Sequence, residues 1–213
     1  MRKFFHPVPI LPAMHPIPLL LRAKAFRLAL CLAILASLVP AALRPAHAAP
    51  PATYSKDGVS FDHPAGWKVT EDVVAQDTTR MRSIDLEGPN EAVVTLMFSP
   101  FFSGQDIEKF AATAARNRAD AAKANTAQQA RMGPVTATPI TRQVAGKDNQ
   151  GISQRFVVSL LGQNLPHEAR FFKAALDGTT VIIMTQVGDE DAKAAEPGFA
   201  IALGTLRYST SKR

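Results

Sequence analysis

The chain has 213 residues, an apolar share of 46%, and 24 Lys and Arg against 18 Asp and Glu, for a formal net charge of +6. That apolar share excludes wholesale disorder, and the length suits one domain plus an additional segment. The charge is segregated: Arg2, Lys3, Arg22, Lys24, Arg27 and Arg44 precede residue 49 and no Asp or Glu does, so from Ala49 onward 18 basic residues face 18 acidic ones. A balanced body excludes the simplest electrostatic footprint of a nucleic-acid binder.

Leu28 to Leu38 is apolar apart from Ser37. Arg22, Lys24 and Arg27 precede it, and Pro40 and Ala46-His47-Ala48 follow. Basic, then apolar, then small residues predict a secretory signal peptide over residues 1–48, cleaved before Ala49. The apolar run is shorter than the ~20 residues of a spanning helix, so no stable membrane span is expected after cleavage; an uncleaved anchor is the alternative. Met14 is an alternative start that gives a leader of ordinary length. Cys31 follows Leu30, not the small residue of a lipoprotein signal. As it is the one Cys, the mature chain has neither disulfide nor thiolate. The leader lacks a twin Arg and reads as bacterial and Sec-type, which points to the periplasm.

Ala49–Ser55 reads as a short tether and residues 56–209 as a single domain. Val59–Phe61 is a short strand, Asp62-His63-Pro64-Ala65-Gly66 a turn punctuated by Pro64 and Gly66, and Trp67–Thr70 resumes the extended chain. Arg80–Leu86 is a predicted strand; the period of two puts Arg80 and Arg82 on one face with Ile84 and Leu86. Gly88-Pro89-Asn90 is a turn. Ala92–Phe98 is apolar on both faces except for Thr95, as a central strand requires. Ser103, with Asp106 three residues on, resembles a weak capping box. The helix it opens runs to about Ala124 and buries a stripe of Ile107, Phe110, Ala111, Ala114, Ala115 and Ala122.

Residues 125–133 are polar and stay unassigned. Pro134–Ala145 reads as a strand, Gly146–Gly151 as a turn, Ile152–Leu161 as a strand and Gly162–Pro166 as a hairpin loop. His167–Leu176 returns, Asp177-Gly178 is the strongest short hairpin signal in the chain, and Thr179–Val187 is the last strand. A closing helix, with Pro197 near its first turn, buries Phe199, Leu203 and Leu206. Helices set apart from a run of strands define an α+β chain, an antiparallel β-sheet with packed helices. A doubly wound parallel fold would need a helix after almost every strand.

The stretch Tyr54-Ser-Lys-Asp-Gly-Val-Ser-Phe-Asp-His-Pro-Ala-Gly-Trp-Lys-Val69 resembles the opening of the PsbP/Mog1-like superfamily. The short strand ends in aromatic Phe61, and Pro64 and Trp67 follow in the family's spacing. The resemblance covers about Tyr54 to Ser209, and Phe61 to Trp67 is its one sharp motif. It implies an αβα sandwich. The family includes the extrinsic photosystem II protein, a Ran-binding nuclear-import factor and many bacterial exported proteins of unknown role. Its members act as accessory or binding proteins and share no universal catalytic set, so the resemblance carries no catalytic or metal residue onto this chain.

The residues themselves argue in the same direction. A hydrolytic triad needs a nucleophile, a base and an orienting acid. His63 and His167 are the two His beyond the leader, neither lies in a nucleophile motif, and both read as surface residues. A zinc site without Cys would need two carboxylates besides both His. Asp189-Glu190-Asp191 lacks the alternating ligands of a calcium loop and reads as a solvated turn favouring the start of the last helix. No glycine turn continues as G-x-G-x-x-G or G-K-[ST]. No catalytic residue, metal site or cofactor is therefore expected.

The binding candidates are Arg80, Arg82, Phe101, Phe102 and Trp67. An Arg pair above apolar residues can hold an anion or a partner; a solvated strand end is the alternative. Phe101 and Phe102 cannot both face inward from a regular strand. One is expected to staple the helix start and the other to line a groove or touch a partner. Trp67 is first a core plug and second a stacking platform. Phe171 and Phe172, consecutive in a strand, can both be buried only if both sheet faces are covered. The expected role is that of an exported periplasmic accessory protein that binds an envelope protein or a small molecule without catalysis. An envelope hydrolase with His63 or His167 in a cleft, and a structural envelope protein, are the alternatives.

Overall fold

A computed structural model describes residues 49–124 and 129–209; the leader read over residues 1–48 lies outside them. In chain order the strands are β1 (Ala52–Lys56), β2 (Val59–His63), β3 (Lys68–Val74), β4 (Arg82–Glu87) and β5 (Val93–Phe98). Helix α1 (Ile107–Ala124) follows, then β6 (Arg131–Met132), β7 (Thr136–Val144), β8 (Lys147–Leu160), β9 (Gln163–Leu176), β10 (Thr179–Gly188), helix α2 (Ala192–Thr205) and β11 (Arg207–Tyr208). The large antiparallel sheet has the order β3-β4-β5-β10-β9-β8, with β6 and β7 both pairing β8 at the far edge. A small sheet runs β1-β2-β11. The protein is thus α+β, a large antiparallel sheet with two packed helices.

The period of two assigns each strand residue to a face. Ile84, Leu96, Phe172 and Ile183 point to one face, where Phe199, Leu203 and Leu206 join them with Val59 and Phe61 of the small sheet. Met97, Ile152, Phe171 and Ile182 point to the other, against Ile107, Phe110 and Ala111 of α1. Phe171 and Phe172 are each 0% exposed, so both sheet faces are covered at that point. The connection from β5 through α1 to β6 crosses over β10, β9 and β8. The meander β7-β8-β9-β10 then returns to lie beside β5.

Several boundaries differ from the sequence reading, each for a local reason. Residues 52–55, read as tether, belong to β1 and pair with β2. The turns around the central hairpin are shorter than expected. Ala145-Gly146 and Leu161-Gly162 each form a two-residue turn with positive φ at both positions, the hand that matches strand twist. Gly151 is consequently inside β8, where its missing Cβ leaves room for the Phe172 ring and the Phe171 carbonyl. The cap of α1 is Asp106, not Ser103: its Oδ1 accepts from the backbone N–H of Glu108 (2.8 Å) and Lys109 (3.1 Å). Pro197 sits inside α2, five residues after its start, so one intrahelical donor is lost there.

Trp67 closes the end of the α2 face. It is 7% exposed and meets Phe199 edge-on at 5.5 Å between centroids. Two glycines make its seat. A Cβ at Gly88 would lie 2.5 Å from Trp67 Cε2, and one at Gly198 would overlap Cε2 and Cζ2. Gly198→Ala is therefore expected to destabilise the fold by about 1–3 kcal/mol, although Ala is the better helix former. Gly204→Ala, in the same helix with nothing near the added carbon, is the control and should be neutral or slightly stabilising. Urea unfolding of both variants checks this.

Candidate functional site

The five binding candidates do not form one patch. Arg82 lies on β4 with its side chain 12% exposed, and Asp72 of β3 holds it edge-on: Nε donates to Oδ1 at 2.8 Å and Nη2 to Oδ2 at 3.0 Å. Nη2 also donates to the Tyr54 hydroxyl and the Lys56 carbonyl, and Nη1 to the Asp57 carbonyl. Its charge is spent on tying the small sheet to the large one. Arg80 precedes the strand at φ 44, which breaks the alternation that would have put it beside Arg82. Trp67 is in the core, as described above.

Phe101 and Phe102 divide as the sequence requires. Pro100–Gly104 is a 3-10 turn between β5 and α1. Ser99 caps it: Oγ accepts from the Phe101 N–H at 3.4 Å, and the Ser99 carbonyl accepts from the Phe102 N–H at 3.1 Å. Lys173 of β9 clamps its far end, donating to the carbonyls of Ser103 (3.3 Å) and Gln105 (2.7 Å). Phe102 turns inward, 9% exposed, edge-on to Phe110 at 6.1 Å. Phe101 turns outward and is 64% exposed. Ser99 Oγ also donates to the Thr79 carbonyl at 3.4 Å, which brings the loop carrying exposed Arg80 to the same corner. The turn carrying Phe101 and the loop carrying Arg80 are thus tied to each other through Ser99 and Thr79, whereas the Arg82 guanidinium is engaged by Asp72 and Trp67 is buried in the core.

The two His make backbone contacts. His63 Nδ1 is 3.3 Å from the Pro64 carbonyl oxygen and His167 Nδ1 is 2.8 Å from that of Leu165; the His167 ring also stacks on Phe156. Asp189–Asp191 is a 3-10 turn leading into α2, and Asp191 accepts from Asn90. Among the described residues no group of three or more His, Cys, Asp or Glu is placed to hold a metal ion, and no helix is long and apolar enough to cross a membrane.

Two polar arrangements escaped the sequence reading. One is a ladder on the α2 face. Ser153 and Arg170 donate to Glu168 at 2.6 and 2.7 Å, and Arg170 and Arg142 reach Glu196 of α2 at 2.8 and 2.7 Å. Burial pushes the Glu168 carboxyl up, and the bonds from Arg170 and Ser153 outweigh it and hold it below its usual range. The other is Arg118. It lies four residues after Ala114 and seven after Ala111, so it continues the inward stripe of α1. Its guanidinium sits 4.8 Å over the Phe156 ring and 5.5 Å from that of Phe171, and Nη2 donates to Gln154 Oε1. The spacing was available as a signal; the charge hid it.

No protein-family model matches the chain, and no curated protein matches it. Solved structures are similar at low identity. The solution structure of cyanobacterial PsbP from Synechocystis is 14% identical over 82% of this chain and 99% of that one, with a TM-score of 0.43. A Pseudomonas aeruginosa protein of unknown function is 12% identical over 75% and 97%, at 0.35. LpqN of Mycobacterium tuberculosis, involved in cell envelope biogenesis, is 10% identical over 75% and 90%, at 0.34.

The Tyr54–Asp72–Arg82 cluster makes stability depend on pH. The bonds from Arg82 hold the Asp72 carboxyl well below the usual range, with Lys56 and Tyr54 adding to them against the opposing pull of burial. A depressed carboxyl contributes stability that is complete above its unfolded value, about pH 3.9, and is lost as the pH falls toward its folded one. Asp72→Asn should therefore be less stable than the wild type at neutral pH and lose less on acidification between about pH 5 and 2.5. Tyr54 works at the other end. Burial, then its bond to Asp72, pushes its hydroxyl up to about 12. Its contribution should be complete below about pH 10 and fade above it, and Tyr54→Phe should remove that fading. Urea midpoints across pH check both.

Proposed function

We propose that the chain is an exported periplasmic accessory protein of the PsbP/Mog1-like superfamily, acting by binding a protein partner or small ligand and not by catalysis. The leader pattern over residues 1–48 supports export, and the Phe61-to-Trp67 motif together with the α+β architecture supports the family. One observation carries the binding reading: Phe101, 64% exposed, stands on a turn held by Ser99 at one end and Lys173 at the other. An aromatic ring held out on a rigid support binds with little loss of conformational freedom, which favours it as a contact anchor. Arg80 on the adjoining loop supplies a cation at the rim, where charge steers association.

The test uses the full chain made in a Gram-negative host. Osmotic-shock fractionation should release a product beginning at Ala49. A photo-cross-linking residue at position 101 should give one discrete adduct, and excess wild-type protein but not Phe101→Ala should compete it away. A product retained in the cytoplasm would overturn export. An exported protein that forms no adduct from position 101, or one that the Phe101→Ala protein competes equally well, would overturn the contact.

A further inference from the structure

Two arginines of this protein present the same edge to different partners. The Nε–Nη2 edge of Arg82 grips both oxygens of a carboxylate, at 2.8 and 3.0 Å. On Arg118 the Nη2 of that edge donates to the neutral amide oxygen of Gln154, and the buried Nε has no hydrogen-bond partner. No carboxylate pairs with Arg118 in any described ion pair. A guanidinium drawn out of water without a counter-charge is unfavourable; burial here pulls its pKa down to about 10. The faces of Phe156 and Phe171 offset part of that, as cation–π contacts do.

Gln154 is also a wall of a cavity. The space between α1 and β7, about 280 Å³ and open to solvent on one side, is lined by Glu108, Ala112, Ala137, Thr138, Pro139, Ile152 and Gln154. Arg118 does not itself line the cavity: Gln154, which is buried, is the one residue that both lines it and bonds Arg118, so the guanidinium edge lies behind the Gln154 amide. The other walls are mainly apolar and suit the body of a small organic molecule. Glu108 stands exposed at the rim and disfavours a dianion. A carboxylate, unlike an amide oxygen, would satisfy both donors of the Arg118 edge at once.

We propose that this cavity binds a small monocarboxylic acid with an apolar body, whose carboxylate takes the Arg118 Nε–Nη2 edge in place of the Gln154 amide oxygen. The site deepens the ligand-binding side of the reading above but lies apart from Phe101, so the two fail separately.

Benzoate is the probe, with benzamide as its neutral counterpart and chloride and phosphate at matched ionic strength as simple anions. The purified protein, as the cell makes it, is followed by thermal unfolding and by backbone amide NMR shifts. Benzoate should raise the melting temperature saturably and shift amides of Gln154 and Ala112, and the three controls should not. Arg118→Met should stay folded, since an apolar replacement of a buried unpaired charge is tolerated, and bind benzoate about tenfold or more weakly. Gln154→Glu supplies the carboxylate from within the fold. It should raise the baseline stability and abolish the response. Phe101→Ala should respond as the wild type does. Benzoate acting no better than benzamide, chloride or phosphate would overturn the proposal. So would Gln154→Glu retaining the full response, which keeps the test decisive if Arg118→Met does not fold.

Discussion

A strand cannot bury two consecutive aromatic rings unless both faces of its sheet are covered, and β9 buries Phe171 and Phe172 completely. This constraint organises the rest of the protein. One helix must lie on each side, so the chain has to cross the sheet once between β5 and β6 and again after β10. The covering elements differ in how they meet it. The inner stripe of α1 is largely Ala, which brings its backbone close and leaves Phe110 and Ile107 to interdigitate with Phe171 and Ile182. Helix α2 brings Phe199 and Leu203 to the Phe172 side and gives up a side chain at Gly198 to seat Trp67. Close packing of this kind leaves little tolerance for an added methyl group.

Two-sided coverage also sets where charge can go. On the α2 face the charged groups lie at the ends of the apolar region and are paired internally: Asp72 with Arg82 at one end, Glu168 and Glu196 with Arg170 and Arg142 at the other. The first reaches the small sheet through Tyr54 and Lys56, and the second joins β7 and β9 to α2, so both act as fasteners between layers. Arg118 faces the α1 side with no described carboxylate to meet it. The meander places Glu168 on the opposite face by alternation, so its carboxylate is turned away from Arg118.

Much of this was legible beforehand. A run apolar on both faces located a central strand, Asp177-Gly178 located a turn, and the Phe171-Phe172 pair set the condition that both sheet faces be covered for both rings to be buried. What escaped depends on contacts between distant residues or on conformations without a compositional mark. Ala145 and Leu161 adopt positive φ, where neither residue type is usual, so the sequence reads both turns as longer and beginning one residue later. Gly151 looked like turn punctuation, yet it is a strand residue whose role is to admit the Phe172 ring. Asp106 displaced Ser103 as the cap because the 3-10 turn from Pro100 to Gly104 uses up the residues before it. Arg118 falls on the buried stripe by spacing, yet a charged side chain carries no compositional mark of burial, and its place over two Phe rings comes from β8 and β9.

The turn after β5 shows how one short segment serves both fold and surface. Regular extension through Phe101 and Phe102 would have sent one ring to each face of the sheet, and both faces are already filled there by Met97 and Phe98. Pro100 fixes its own φ, and Ser99 supplies the acceptor that a turn needs at its start. The chain therefore coils before the helix begins, and the coil gives the two rings opposite fates: Phe102 completes the α1 face against Phe110, and Phe101 is forced into water. Lys173, from the strand under α1, then holds the coil by its carbonyls. Phe101 is exposed because the packing beneath leaves it no alternative, and the same packing keeps it in place.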